Sequence, residues 1–205
     1  MYKSSKTFIK MNSTSQSGQD ILVSKLIKTQ NPTFVDIGCW HPNVLNNTNL
    51  LEELGWTGIS LDIQDMSQDW QIRKTKFICA DALKTNYMEL FNENNLPLVI
   101  DYLSVDIEGD GLRFLALQKV LESNREFKII TIEHDSYRGY DLSEKIPQRE
   151  LLYSRGYFLL CSDVCLGGNP FEDWWINPKF FSEDEYNHLK SHNIEFNEIL
   201  KKFEI

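Results

Sequence analysis

Two carboxylates stand one residue apart at the end of the longest apolar run in the chain, Asp101-Tyr-Leu-Ser-Val-Asp106-Ile-Glu108-Gly109. Charges at the end of a buried strand are costly unless they are paired, hydrogen-bonded or metal-bound. The glycine beside them lets a ligand approach the backbone closely. A second cluster, Thr131-Ile-Glu133-His134-Asp135, closes the next apolar run. If the two runs are adjacent strands, Glu133 and His134 lie beside Asp106 and Glu108. Three arrangements are open. Asp106, Glu133 and His134 could ligate Mg2+ or Mn2+, which accept oxygen and imidazole donors. His134, or a carboxylate among Asp106, Glu108 and Glu133, could instead act as a general base. The third arrangement is a hydrogen-bonded network with no metal.

Three further strand ends carry an acid. Phe34-Val-Asp-Ile-Gly-Cys-Trp-His41 places Asp36 two residues before Gly38, where a ligand could meet bare backbone. The glycines that complete a dinucleotide fingerprint are missing, since Trp40 and Asn43 occupy their places, and this argues against a nicotinamide or flavin cofactor. Gly58-Ile-Ser-Leu-Asp62 ends in a carboxylate suited to a ribose diol. Phe77-Ile-Cys-Ala-Asp81-Ala82 ends in one that could accept from an adenine amino group or, more plainly, cap a helix. Trp40, Tyr137 and Tyr140 fall in loops at the same end and could stack on a ring.

The elements that must position these residues alternate short β-like runs with amphipathic stretches. Strands are expected at Thr33–Ile37, Thr57–Ile63, Lys76–Ala80, Val99–Ile107, Phe127–Glu133, Tyr157–Val164 and Phe171–Ile176. Helices are expected at Asn47–Leu54, Ala82–Asn92, Leu112–Leu121 and Ser143–Ser154, with Gly55 and Gly156 just past two of them. Leu112, Leu115 and Leu117 are read as apolar positions of the third helix. Ser182 followed by Glu185 is a capping-box pattern opening a final amphipathic helix, with a break near His192–Asn193 and an apolar face continuing through Ile199, Leu200 and Phe203. In Trp174-Trp175, alternation places one indole in the core. The order predicts an α/β fold with a mostly parallel seven-stranded sheet, and the last two strands, with no helix between them, form an antiparallel edge hairpin.

Composition bounds the rest. The chain has 205 residues, 41% hydrophobic and 25% charged, enough for one domain with a real core. Residues 1–14 are expected to be a flexible segment and 15–205 a single domain. The formal net charge of −9 argues against nucleic acid as a partner. Cys39, Cys79, Cys161 and Cys165 form no paired motif and read as free thiols in a reducing compartment. No signal-peptide core or membrane-length apolar run is present, so a cytoplasmic location is expected. The final helix could bind a second copy as a homodimer or simply cover its own sheet.

Taken in order, these motifs resemble the FkbM family of methyltransferases. The resemblance starts at Ser15-Gln-Ser-Gly-Gln-Asp20 and continues through Val35-Asp-Ile-Gly38, Asn47-Thr48, Gly55-Trp56-x-Gly58 and Asp62. It is clearest at Asp101–Gly109 and extends to Glu133-His134 and, more loosely, Glu172–Trp175. It implies a Rossmann-like class I fold, an S-adenosylmethionine cofactor and methyl transfer to oxygen. The acceptor it implies is a sugar, glycan or other small metabolite. It further implies a cofactor site of Gln19, Asp36, Gly38, Asn47, Thr48, Asp62, Ile63, Asp81, Ala82 and Asp106, with Glu108 next to the methyl group and acceptor. Two positions depart from the family pattern. The loop after the first strand reads Gly38-Cys-Trp-His-Pro42 without its later glycine, and Gly111 stands where a second acid is often found. These departures motivate an alternative, a non-catalytic cofactor-binding or interaction module. A nicotinamide-dependent oxidoreductase is a third and weaker reading.

Overall fold

The computed structural model describes residues 12–202. The flexible segment expected over 1–14 falls mostly outside them, as does Phe203. Within them, Ser13 and Thr14 are pinned. The Ser13 hydroxyl donates to Asp20 at 2.7 Å, and Thr14 exchanges hydrogen bonds with the Asn46 backbone.

Eight strands form one sheet in the order β3-β2-β1-β4-β5-β7-β6-β8. They are β1 (Thr33–Ile37), β2 (Thr57–Asp62), β3 (Lys76–Cys79), β4 (Val99–Val105), β5 (Glu126–Glu133), β6 (Phe158–Leu166), β7 (Asn169–Ile176) and β8 (Ser191–His192). The first five are mutually parallel, and β7 runs antiparallel to both β5 and β6. The expected hairpin is present, and Gly167 and Gly168 turn it, both at positive φ (61° and 82°) as a two-residue hairpin turn requires. It does not form the edge of a seven-stranded sheet, however. At the break in the final helix the chain extends instead, and Ser191 and His192 add an eighth, parallel edge strand against β6.

Helices cover both faces. They are α1 (Gln19–Leu26), α2 (Asn49–Glu53), α3 (Tyr87–Glu93), α4 (Leu112–Leu121), α5 (Ile146–Ser154), α6 (Glu183–Tyr186) and α7 (Phe196–Lys201). Two begin later than their apolar spacing suggests, because polar side chains hold the preceding residues elsewhere. The α3 helix starts at Tyr87 because Asp81 organises its own turn, accepting from the Leu83 N–H, and Asn86 then caps the helix by accepting from the Glu89 N–H. The α2 helix starts after Asn47 and Thr48, whose side chains are committed to Ser104 and Asp36. The capping box at Ser182 forms, with the Ser182 N–H donating to Glu185 at 2.8 Å, but its helix lasts one turn.

Neighbouring strand residues feed two separate cores. Val35, Leu103, Ile130 and Trp175 pack on one face, and Phe34, Tyr102, Ile129 and Trp174 on the other. Both indoles are therefore fully buried, because β7 is covered on both sides. In α4 the buried stripe runs through residues 113, 116, 117 and 120, and Leu115 faces solvent. Cys39, Cys161 and Cys165 are buried, Cys79 is exposed, and all four are free. Among the described residues no helix is long and apolar enough to cross a membrane.

Gly58 pairs with Phe34 in the β1–β2 ladder, and a Cβ there would overlap the Phe34 carbonyl, a backbone atom that cannot swing aside. Gly58→Ala is expected to destabilise the fold by about 1–3 kcal/mol, the usual cost of overpacking. The midpoint of urea unfolding measures this.

Candidate active site at the carboxyl ends of the strands

The sheet reverses its strand order at β1, which lies between β2 and β4. Ligands bind beyond the carboxyl ends of strands at such a switch point. A cavity of about 570 Å3 opens there. Gly38 sits at its centre with φ 84°, packed so closely on β4 that a Cβ would overlap the Asp106 carbonyl.

Of the residues singled out from the sequence, Gly38, Asp62, Ile63, Asp81, Ala82, Asp106, Glu108 and Glu133 line this cavity. Asp62 accepts one backbone N–H on each oxygen, from Trp40 and from Gln64, both at 2.8 Å. Ile63 is 68% exposed and flanks the same wall as Ala82 and Leu83. Trp40 and Tyr137 also reach the cavity, and Tyr140 does not.

Five expected site residues do not line it. Asp36 is buried in β1, two residues short of Gly38, and its carboxylate accepts from Thr48. Burial pushes its pKa up to about 7. Thr48 and Asn47 belong to the same buried network, Asn47 donating to Ser104 at 3.0 Å. Gln19 donates to Glu172 at 2.9 Å and accepts from the Ser17 N–H. His134 is fully buried behind the strand end. For His134 the physical reason is strand alternation: residues one apart at the end of β5 point to opposite faces, so the cavity takes Glu133 and excludes His134.

The metal set of Asp106, Glu133 and His134 is therefore not assembled. His134 instead faces Asp173 at 3.4 Å and Asp163 at 3.8 Å, three groups with ligand atoms close enough for a cation. Two facts oppose a metal there. Arg149 already bridges both carboxylates, at 2.7 Å to Asp173 and 2.9 Å to Asp163, and Lys145 adds a second cation. The Ser136 N–H also donates to His134 Nδ1, which places the imidazole proton on Nε2, pointing at the carboxylates. Against the upward push of burial, Arg149 and His134 draw Asp173 down to about 2.

At the cavity floor the Asp106 and Glu133 carboxyls meet and share a hydrogen bond. Burial raises both pKa values, and the two groups raise each other through their charges. The hydrogen bond between them lowers Asp106 and raises Glu133. Arg113, fully buried on α4, steadies the pair, donating to Glu133 at 3.1 Å and to Asp135 at 2.9 Å. Glu144 accepts from the Arg113 and Phe114 backbone N–H groups and so caps α4. Glu108 stands at the rim, its side chain 82% exposed, opposite Arg138 at 3.4 Å.

Sequence reasoning missed Arg113 and Arg138, and it quoted Asp135 and Gln16 within motifs without giving either a role. A signal for Arg113 existed, since it occupies the first position of the 113/116/117/120 stripe, where a charged residue requires a buried partner. Gln16 reaches the cavity from the Ser15–Asp20 stretch, where the family resemblance begins.

No protein-family model and no curated protein matches the sequence. Among solved structures, the METTL16 MTase domain is similar at a TM-score of 0.54 and 14% identity, over 80% of this chain and 65% of that one, less than two thirds of its length. A protein of the NADB-Rossmann superfamily from Streptococcus agalactiae is similar at 0.51 and 13% identity, over 78% of this chain and 68% of that one. A putative tRNA (m1A22) methyltransferase from Streptococcus pneumoniae, solved with S-adenosyl-L-methionine, is similar at 0.47 and 11% identity, over 85% of this chain and 78% of that one. The chain thus has the Rossmann-like fold of S-adenosylmethionine-dependent methyltransferases. The expectation of a small-molecule or sugar acceptor with nucleic acid set aside is corrected, because a fold of this kind does not by itself select the acceptor. Net charge averages over a whole surface and does not report the field in one groove.

Glu172 offers a measurable consequence of the buried acids. It is 2% exposed, and burial pushes its pKa from 4.5 up to about 8 even though it accepts from Trp174 and Gln19. Between those values the folded protein holds a proton that the unfolded chain has released, so stability falls as pH rises through the window. Glu172→Gln, which stays neutral, is expected to flatten the decline in Tm between pH 6 and 9, by roughly 2–4 °C for each kcal/mol recovered. Thermal unfolding across that range tests it.

Proposed function

We propose that this chain is an FkbM-like S-adenosylmethionine-dependent methyltransferase that methylates a hydroxyl. The observation that carries the reading is the Asp106–Glu133 carboxyl pair at the floor of the switch-point cavity, beside Gly38 and across from Asp62. The ordered motifs that resemble the FkbM family support it, as does the fold.

The residues present fit the cofactor. Each Asp62 oxygen accepts one backbone N–H and keeps a lone pair for a ribose hydroxyl. Ile63, Ala82 and Leu83 offer an apolar wall to an adenine ring. Gly38 presents bare backbone where the chain must approach closely. Asp62, Asp81, Asp106, Glu108 and Asp135 face the cavity against Arg138, the single lining cation among the described residues, a field that favours a cationic ligand. When bound, S-adenosylmethionine supplies a methyl group already activated on a sulfonium.

The chain's own task is alignment and proton management. The Asp106 carboxylate accepts the proton of the acceptor hydroxyl. Glu133 donates to Asp106 and is held in place by Arg113. Tyr137, Phe171 and Leu166 wall the acceptor side and exclude water. The loop after β1, whose composition motivated a non-catalytic alternative, has the carbonyls of residues 39–42 hydrogen-bonded and contributes Trp40 and Leu45 to the cavity wall, an order that supports the catalytic reading.

Calorimetric titration with S-adenosylhomocysteine tests the cofactor site. Asp62→Ala is expected to weaken binding about tenfold or more, as loss of a charged hydrogen-bond acceptor does. A folded wild-type protein that binds neither S-adenosylhomocysteine nor S-adenosylmethionine would sink the reading. Transfer of labelled methyl to a panel of hydroxylated compounds and RNA tests the chemistry. Asp106→Asn is expected to lower turnover about 100- to 10,000-fold, the range for loss of a general base. Glu133→Gln, which still presents a donor, is expected to lose much less. Methylation confined to amines would overturn the hydroxyl assignment.

A further inference from the structure

The loop that joins β1 to α2 has no glycine after Gly38, yet it takes a tight irregular path with Trp40 and Leu45 at positive φ (43° and 49°). Such a path leaves carbonyls without ladder partners. Here four consecutive carbonyls are each met by a side-chain donor. Asn46 donates to the Cys39 and His41 carbonyls, both at 3.1 Å. The Trp70 indole N–H donates to the Trp40 carbonyl at 2.8 Å, and Arg73 donates to the Pro42 carbonyl at 2.6 Å.

Trp70 and Arg73 come from outside the loop, on the connection between β2 and β3, and they act as one unit. The Arg73 guanidinium lies 4.9 Å over the Trp70 ring, whose other contact is a stack on Phe77 of β3 at 5.3 Å. Its remaining nitrogens reach Asn46, the Thr48 carbonyl and Glu52, so one buried fork spans the loop from end to start of α2. The consequence reaches the cavity through one bond. Trp40 is carried by this loop, and its N–H is what one Asp62 oxygen accepts.

We propose that Trp70 and Arg73 are positioning residues for the cofactor: they replace a glycine-rich turn by holding the Trp40 and Pro42 carbonyls from outside the loop, and through Trp40 they fix the Asp62 carboxylate. The inference rests on the S-adenosylmethionine reading above. It also explains how a loop with bulky residues in place of glycine can still serve the site, since side-chain donors supply the order that local backbone freedom would otherwise have to find.

The test is S-adenosylhomocysteine titration of the full chain, wild type against Trp70→Phe, Arg73→Lys and Arg73→Gln, with amide hydrogen exchange of residues 39–48 on the same samples. Trp70→Phe keeps an aromatic ring on Phe77 and removes only the N–H. It is expected to weaken binding about tenfold, the effect of leaving one buried carbonyl unpaired, and to speed exchange in the loop. Arg73→Gln is expected to weaken binding further and Arg73→Lys to restore part of it. Phe91→Leu, a core substitution on α3 remote from the loop, serves as a control that lowers Tm and is expected to leave affinity intact. Wild-type affinity in Trp70→Phe and Arg73→Lys overturns the inference while sparing the cofactor site. Equal weakening by Phe91→Leu at matched Tm also overturns it, because affinity would then track stability alone. No binding by the folded wild type overturns both readings together.

Discussion

The close approach of the β1 and β4 ends is the constraint on which the rest of the site depends. Gly38 packs on the Asp106 carbonyl with no room for a side chain, and the Asp106 N–H donates back to the Ile37 carbonyl at 2.8 Å. This contact brings the loop after β1 and the acids after β4 to one opening. It holds the Asp106–Glu133 pair on one side of that opening and Asp62 on the other. Because the strand order reverses there, no crossover helix covers the gap, and the cavity is a consequence of topology before it is one of side chains.

Arginines make the acidic interior tolerable. Arg113, Arg73 and Arg149 come from three different elements, and each serves carboxylates or carbonyls that the surrounding strands bury. Where an arginine reaches fully, as at Asp173, the carboxyl is drawn down to about 2. Where no cation pairs directly with the carboxylate, burial wins, and Glu172 and Asp36 rise to about 8 and 7. Asp106 and Glu133 are both raised by burial, and Arg113 opposes that rise in each. The two departures from the FkbM-like pattern are answered in the same way, by groups distant in sequence. Trp70 and Arg73 hold the glycine-poor loop, and Glu144 caps α4 beyond Gly111.

Much of the fold was legible in the sequence because its signals are local. The β4 run is uninterrupted because a central strand is buried on both faces, and α4 runs from Leu112 to Leu121 as its spacing predicts. The hairpin at Gly167-Gly168 followed from the missing helix. The strand-end acids Asp62, Asp81, Asp106 and Glu133 reached the cavity because strand ends converge there in any sheet of this order.

What the sequence could not decide is which neighbours share a face at the strand ends, and which distant groups meet. One residue of alternation separates Glu133 in the cavity from His134 behind it, and Val35 in one core from Asp36 beneath the other. Residue type carries no record of that choice. Nor does any local pattern link Arg73 to Pro42, Arg113 to Glu133, or Glu144 to the start of α4, since those pairs exist only after the sheet has formed. Sequence by itself determined the strands, their apolar faces and the acids at their ends, because periodicity and burial act within a few residues. The tertiary structure alone decided which acids face the ligand and which cations hold them, because those contacts join elements that the chain keeps far apart.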